Sequence, residues 1–168
     1  METKVPFFSI VNVFLPGLVF MGSCVLLFID ETKTAVDSIA TLNSTGFEVL
    51  ITASCFAIAY EAGYIIFRLG AIVIEPLLKK MFGWTEYGNV VEARKAGAEK
   101  SIDRLSREYA YTRTRITLFI LLFLVTGVRA CWIFSGICVL CVVVFVLTAG
   151  GHLSKIITTV EKYQTESN

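Results

Sequence analysis

The residues that invite a chemical reading lie in the stretch AIAYEAGYIIFRLGAIVIEPLLKK, residues 57–80. A carboxylate, Glu61, sits deep in an apolar run, with Arg68 seven residues on and Glu75-Pro76 beyond it. A charge at the centre of a membrane helix costs about 2.5–3.5 kcal/mol on insertion scales unless it meets a partner or water. Seven residues is close to two helical turns, so Arg68 shares a face with Glu61 and leans back toward it. One expectation is therefore a Glu61–Arg68 pair, and the other is that Glu61 faces a polar cavity in a bundle or oligomer. Ala59 with Gly63, and Ala53 with Ala57, form small-xxx-small pairs that let helices approach closely, and Tyr60 and Tyr64 supply hydroxyls beside them. Glu61, Arg68, Tyr64, Gly63 and Ala59 are thus the candidates for a pore or interface. The bland alternative is a satisfied buried carboxyl that holds the bundle together.

His152, the single histidine, follows Gly150-Gly151. No second ligand stands at helical spacing from it, so an interfacial residue is expected rather than a metal site, with a gating or proton-relay role as the sharper option. Cys138 and Cys141 form a CxxC, a pattern that in a four-span protein invites comparison with quinone-linked thiol oxidases. A working pair needs a helix N-terminus or nearby cation to favour the thiolate. Here the surroundings are Val and Leu, and no second cysteine pair stands on an outer loop to relay electrons. Packing is the expected role of these thiols. The sequon NST at Asn43 would mark an exoplasmic loop, and is an ordinary chance match.

The elements that must position these residues are membrane helices. Of 168 residues, 55% are hydrophobic and only 17% charged, where a soluble domain carries about a quarter charged. The mean hydropathy is +0.71. Residues 7–29 form 23 uncharged positions, long enough to cross a bilayer. This apolar core is longer than that of a signal peptide and no small-residue cleavage site follows it, so a retained span is expected. Pro16-Gly17 predicts a kink within it. Thr45 and Glu48 form a capping-box pattern that starts a second span at residues 47–67. Residues 116–150 carry one charge, Arg129, over 35 positions. A single helix of that length would reach about 52 Å, so two spans, 114–128 and 132–150, joined by a tight turn are expected.

Ten of the fifteen Lys and Arg fall between Arg68 and Arg115, which places that stretch in the cytoplasm by the positive-inside bias. The predicted topology is four transmembrane helices, both termini cytoplasmic, with a cytoplasmic helical hairpin over residues 68–113 and a cytoplasmic tail at 151–168. Residues 1–168 are expected to form one membrane domain, in a bacterial inner membrane. Ala98, Ile102, Leu105, Tyr109, Thr112 and Ile116 repeat at four-three spacing, a heptad seam. Ile102, Leu105, Tyr109, Arg104 and Arg107 are the candidates for a partner or oligomer contact, unless the seam packs on residues 72–78 of its own chain. Lys79, Lys80, Arg113 and Arg115 stand where lipid headgroups are expected, each contributing roughly 1 kcal/mol at an anionic surface.

No phosphate-binding glycine loop, nucleophile–histidine set, metal-ligand cluster or nucleic-acid motif is present in the sequence. The expectation is an all-α integral membrane protein that is not an enzyme, with no cofactor, no metal and no nucleic-acid partner. Its expected partners are the lipid bilayer, further copies of itself and a cytoplasmic protein. The leading functional expectation is a homo-oligomeric pore or channel-like protein, including a membrane-perturbing effector of bacterial defence. The alternative is a non-conducting anchor that docks a partner through its hairpin, and the remote alternative is thiol oxidoreduction.

Overall fold

A computed structural model describes residues 10–30, 32–33 and 45–167. The sequon at Asn43 and the first residues of the expected first span lie outside the described residues. Among the described residues every regular element is helical. A wide turn of helix at Ile10–Phe14 leads into α1 (Leu15–Leu27). Then come α2 (Thr45–Leu69), a second wide turn at Gly70–Ile74, and α3 (Glu75–Phe82). The chain continues through α4 (Tyr87–Ala93), a third wide turn at Arg94–Ala98, α5 (Glu99–Val128) and α6 (Trp132–Ser167). Three continuous helical runs are long and apolar enough to cross a membrane: Gly46–Phe82, Tyr87–Val128 and Trp132–Tyr163. Asn12–Leu27 is a shorter apolar helix.

The prolines explain two of the wide turns. A proline has no N–H to donate, and its ring crowds the carbonyl four residues back. For Pro16 that carbonyl belongs to Asn12, and for Pro76 to Ile72. Both lie inside a wide turn, where the ladder skips to five-residue bonds; Glu75 N–H bonds the Gly70 carbonyl. The helix therefore absorbs each proline as a local widening rather than a break. α3 ends at Gly83, whose φ of 82° suits only glycine without strain. Gly97, with φ 104°, marks the kink between α4 and α5.

α1 and α2 cross with backbone nearly against backbone. A Cβ on Gly17 would overlap the Ala59 carbonyl, and one on Gly63 would overlap the Val13 carbonyl. The expected kink at Pro16-Gly17 thus has a packing purpose: it brings a side-chain-free surface to Gly63. The Phe14 and Phe56 rings flank the crossing at 5.8 Å.

α5 and α6 form the long antiparallel pair of the molecule. They are joined at residues 129–131, where Ala130 adopts φ 52°. A buried hydroxyl pair, Thr126–Ser135 at 2.9 Å, ties the helices together beside this turn. Three core clusters run down the pair. Ile66, Leu118, Leu122 and Cys138 join α2 to it near the turn. Ile74, Leu78, Tyr109, Ile116, Ala149 and Leu153 join α3 to its middle. Val90, Ala93, Ala98, Ile102, Ile156 and Val160 close its far end with α4.

Two expectations change in this light. Within the segment expected as a tail, α6 continues to Ser167 and buries Leu153, Ile156 and Val160. Their three-four spacing puts them on one face, where they meet the heptad seam of α5. The seam residues Ile102, Leu105 and Tyr109 therefore pack within the chain, mainly on α6 and, at Tyr109, also on Ile74 and Leu78. Arg104 and Arg107, which flank the seam, remain exposed.

Candidate functional site

α2 carries two stripes on opposite sides. Ala59, Gly63, Ile66 and Gly70 are buried, spaced four, three and four. Ser54, Ala57, Glu61, Tyr64 and Arg68 are exposed, spaced three, four, three and four. Position 61 is about 200° around the helix from position 59, so the small pair Ala59/Gly63 and the charge Glu61 cannot share a face. The sequence reading grouped them; the helical angle separates them. Ala59 and Gly63 serve the crossing with α1, while Glu61 is exposed on the opposite side of the helix.

On the outward stripe, Arg68 donates to the Tyr64 hydroxyl from Nε at 2.8 Å and from Nη2 at 2.6 Å. Its guanidinium also lies 5.1 Å from the Tyr64 ring centre. The expected Glu61–Arg68 pair is not formed. Glu61 makes no hydrogen bond or ion pair among the described residues. Ser54 donates to the Leu50 carbonyl one turn back at 2.8 Å, so its hydroxyl is satisfied within the helix. The stripe therefore presents small and hydroxyl-bearing groups with one unpaired carboxylate near its centre.

A second polar arrangement lies inward of α3. Arg113, expected among lipid headgroups, is instead buried at 8% side-chain exposure and pairs with Glu75. Lys79 binds the other Glu75 oxygen at 2.6 Å. Arg113 also stands 5.2 Å from the Phe67 ring, and Lys79 4.3 Å from that of Trp84. The reason is angular again. Tyr109, Arg113 and Thr117 are four apart, so Arg113 belongs to the seam face of α5. Arg115 is also buried and lies over the Tyr111 ring at 4.7 Å. Lys80 is exposed. The hydroxyls of Thr112, Thr114 and Thr117 return to the carbonyls of Glu108, Ala110 and Arg113. Asn12 is 1% exposed, and neither of its side-chain amide atoms finds a partner among the described residues.

His152 is half-buried, with Nδ1 3.5 Å from Glu108 Oε2. Arg104 holds the other Glu108 oxygen at 3.0 Å. Six residues before the apolar part of α5 begins, this carboxyl is held below the usual range, first by the Arg104 hydrogen bond and then by the charges of Arg104, His152 and Lys155. Its neighbour Tyr109 is buried, and burial followed by the charge of Glu75 pushes its hydroxyl up to about 12. Among the described residues the Tyr109 hydroxyl has no hydrogen-bond partner.

Cys138 packs with Ile66, Leu118 and Leu122, and Cys141 is half-buried near it; both are free thiols. Arg129 stands 4.2 Å from the Phe28 ring, joining the α5–α6 turn to the end of α1. Among the described residues no cluster of three or more His, Cys, Asp or Glu could hold a metal ion. Comparison with protein-family models, with curated proteins and with solved structures finds no match to this chain.

Proposed function

We propose that this chain is a four-span membrane protein, both termini cytoplasmic, that assembles with copies of itself into a channel-like pore. The observation that carries the reading is the outward position of Glu61. α2 lies in an apolar run, and its exposed face holds a carboxylate that no described residue pairs. Facing lipid, that group would cost about 2.5–3.5 kcal/mol. Facing a second copy, or a water-filled path between copies, it costs much less. The stripe of Ser54, Ala57, Glu61, Tyr64 and Arg68 has the heptad spacing and small members with which membrane helices pack.

Four helices in one chain leave little room for a path, since their interior is filled by the Gly17–Gly63 crossing and the three core clusters. A path between subunits avoids that limit. The cytoplasmic extension of α5 and α6, closed by α4, is the part placed to sense a signal. No catalytic step is assigned to any residue.

The docking alternative draws on a different surface. Leu77, Met81 and Tyr87 are strongly exposed around the end of α3, an apolar rim that a protein partner would cover as well as a membrane surface would.

The test is the mass of the nanodisc-held particle together with ion flux in liposomes. A closed ring with flux altered by Glu61→Gln supports the pore. A monomer, or an oligomer without flux, removes it and leaves the docking reading.

A further inference from the structure

Arg115 is 8% exposed and has no acidic partner among the described residues. Its Nε is buried and unpaired, and its guanidinium lies 4.7 Å from the Tyr111 ring centre. A buried cation that meets no anion is costly to keep. Position 115 directly precedes residues 116–128, which carry no charge. Side chains lean toward the helix N-terminus, so this guanidinium stands where the apolar layer gives way to headgroups. α5 turns 100° per residue, and Glu108, Tyr111, Phe119, Leu122 and Thr126 all fall within about 40° of Arg115. Two cavities lie along that face. The inner one, about 510 Å³, is lined by Arg107, Glu108 and Tyr111 of α5 and by Phe145 and His152 of α6. The outer one, about 330 Å³, is lined by Ser23 and Leu27 of α1, Leu122 and Thr126 of α5, and Phe134 and Cys138 of α6. Between them Phe119 stacks on Phe145, with ring centres 5.8 Å apart.

We propose that this face of α5 holds one anionic phospholipid of the cytoplasmic leaflet, its phosphate on Arg115 and a chain running outward over Phe119 into the outer cavity. A guanidinium offers phosphate oxygens several charge-assisted hydrogen bonds at once. The Tyr111 hydroxyl, which makes no hydrogen bond among the described residues, adds a neutral donor. Arg104 also reaches the inner cavity but is spent on Glu108. Arg107 on its rim is exposed and unpaired among the described residues, and so favours an anionic headgroup and repels a choline ammonium. Leu122 and Thr126 lie about 10 and 16 Å beyond Arg115 along the axis, a span that suits an acyl chain. The Thr126 hydroxyl is taken by the Leu122 carbonyl and Ser135, which leaves the outer cavity mainly apolar. An inorganic anion would use the inner cavity alone, whereas a phospholipid uses both. Basic pockets between membrane helices on the cytoplasmic side are a known way of holding anionic headgroups. The inference does not rest on the pore: a chain that conducts nothing can hold such a lipid.

The test uses the full chain in mild detergent, titrated with phosphatidylglycerol, phosphatidylcholine, diacylglycerol or inorganic phosphate. Bound lipid is read by native mass spectrometry and by the unfolding temperature. The expected result is one phosphatidylglycerol retained per chain, with a raised unfolding temperature. Arg115→Gln should weaken its binding at least about tenfold, and the exposed, distant Lys95→Gln should leave it unchanged. Ser23→Phe keeps every charge and fills the outer cavity, so it should weaken binding by bulk; it also decides the matter if Arg115→Gln fails to fold. Retention of phosphatidylcholine or diacylglycerol equal to that of phosphatidylglycerol, or stabilisation that inorganic phosphate alone reproduces, overturns the proposal. So does binding that either folded variant leaves intact, or no retention at all.

Discussion

Arg68 gives its guanidinium to the Tyr64 hydroxyl, with two donors at 2.8 and 2.6 Å, and so is held one turn short of Glu61. A tyrosine thereby keeps apart two opposite charges that share a helix face. Tyr64→Phe should release Arg68 to swing toward Glu61 and neutralise it. Liposome flux should then change in the same direction as the account expects for Glu61→Gln, and adding Arg68→Gln should restore it. If Tyr64→Phe leaves flux unchanged, the hydroxyl does not govern the charge on the stripe.

The α1–α2 crossing should tolerate no side chain at its centre. Gly63→Ala puts a methyl into the Val13 carbonyl, and Gly17→Ala puts one into that of Ala59. Backbone must move in either case, at a cost of about 3 kcal/mol. Gly22→Ala, where a Cβ meets nothing within 4 Å, is the matched control and should be neutral or slightly stabilising. Thermal unfolding in detergent reads the difference.

The buried pair beside Pro76 makes a prediction about its partners rather than its strength. Glu75→Gln strands Arg113 in a site with 8% side-chain exposure, whereas Arg113→Met leaves Glu75 with Lys79. Removing one member of a buried pair is costly, and Glu75 retains a quarter of its exposure. A loss of about 2 kcal/mol is therefore expected for Glu75→Gln. Glu75→Leu/Arg113→Met should recover most of it. A double-mutant cycle by chemical unfolding measures the coupling.

Tyr109 sets an alkaline limit. Its hydroxyl is pushed up to about 12 in the folded chain, against about 10 in an unfolded one. Between these values the folded state holds the proton that the unfolded state has lost. Stability is thus full below about pH 10 and declines as pH rises toward 12. Tyr109→Phe removes the titrating group and an unpartnered buried hydroxyl, so its stability should fall less over that window. A variant as alkali-sensitive as the wild type would assign the limit to another group.

Much of the fold was legible in the sequence. Runs without charge located the apolar helices, Thr45 and Glu48 stand in the first described turn of α2, and Pro16-Gly17 pointed to the distortion of the first helix, whereas the wide turn before Pro76 was not foreseen. The four-three seam from Ala98 to Ile116 identified the buried face of α5. What was not legible was which surface each face meets. The α6 residues that cover the seam, Leu153, Ile156 and Val160, lie in a segment whose polar neighbours read as a tail. Arg113 reads as a headgroup cation until its four-residue spacing from Tyr109 and Thr117 is set against the position of Glu75, 38 residues away. For Glu61 the signal was present and misassigned. Its 200° separation from Ala59 already excluded a shared face, but only the packing of Gly63 on α1 shows which side is outward.

The most direct measurement is the reversal potential of liposome or bilayer currents under a salt gradient, for wild type and Glu61→Gln. A ring of carboxylates on the path between subunits governs which ions pass. The account predicts a conductance whose reversal potential shifts when Glu61 loses its charge, with particle mass unchanged. Currents that are absent, or a reversal potential that Glu61→Gln leaves where it was, would contradict it.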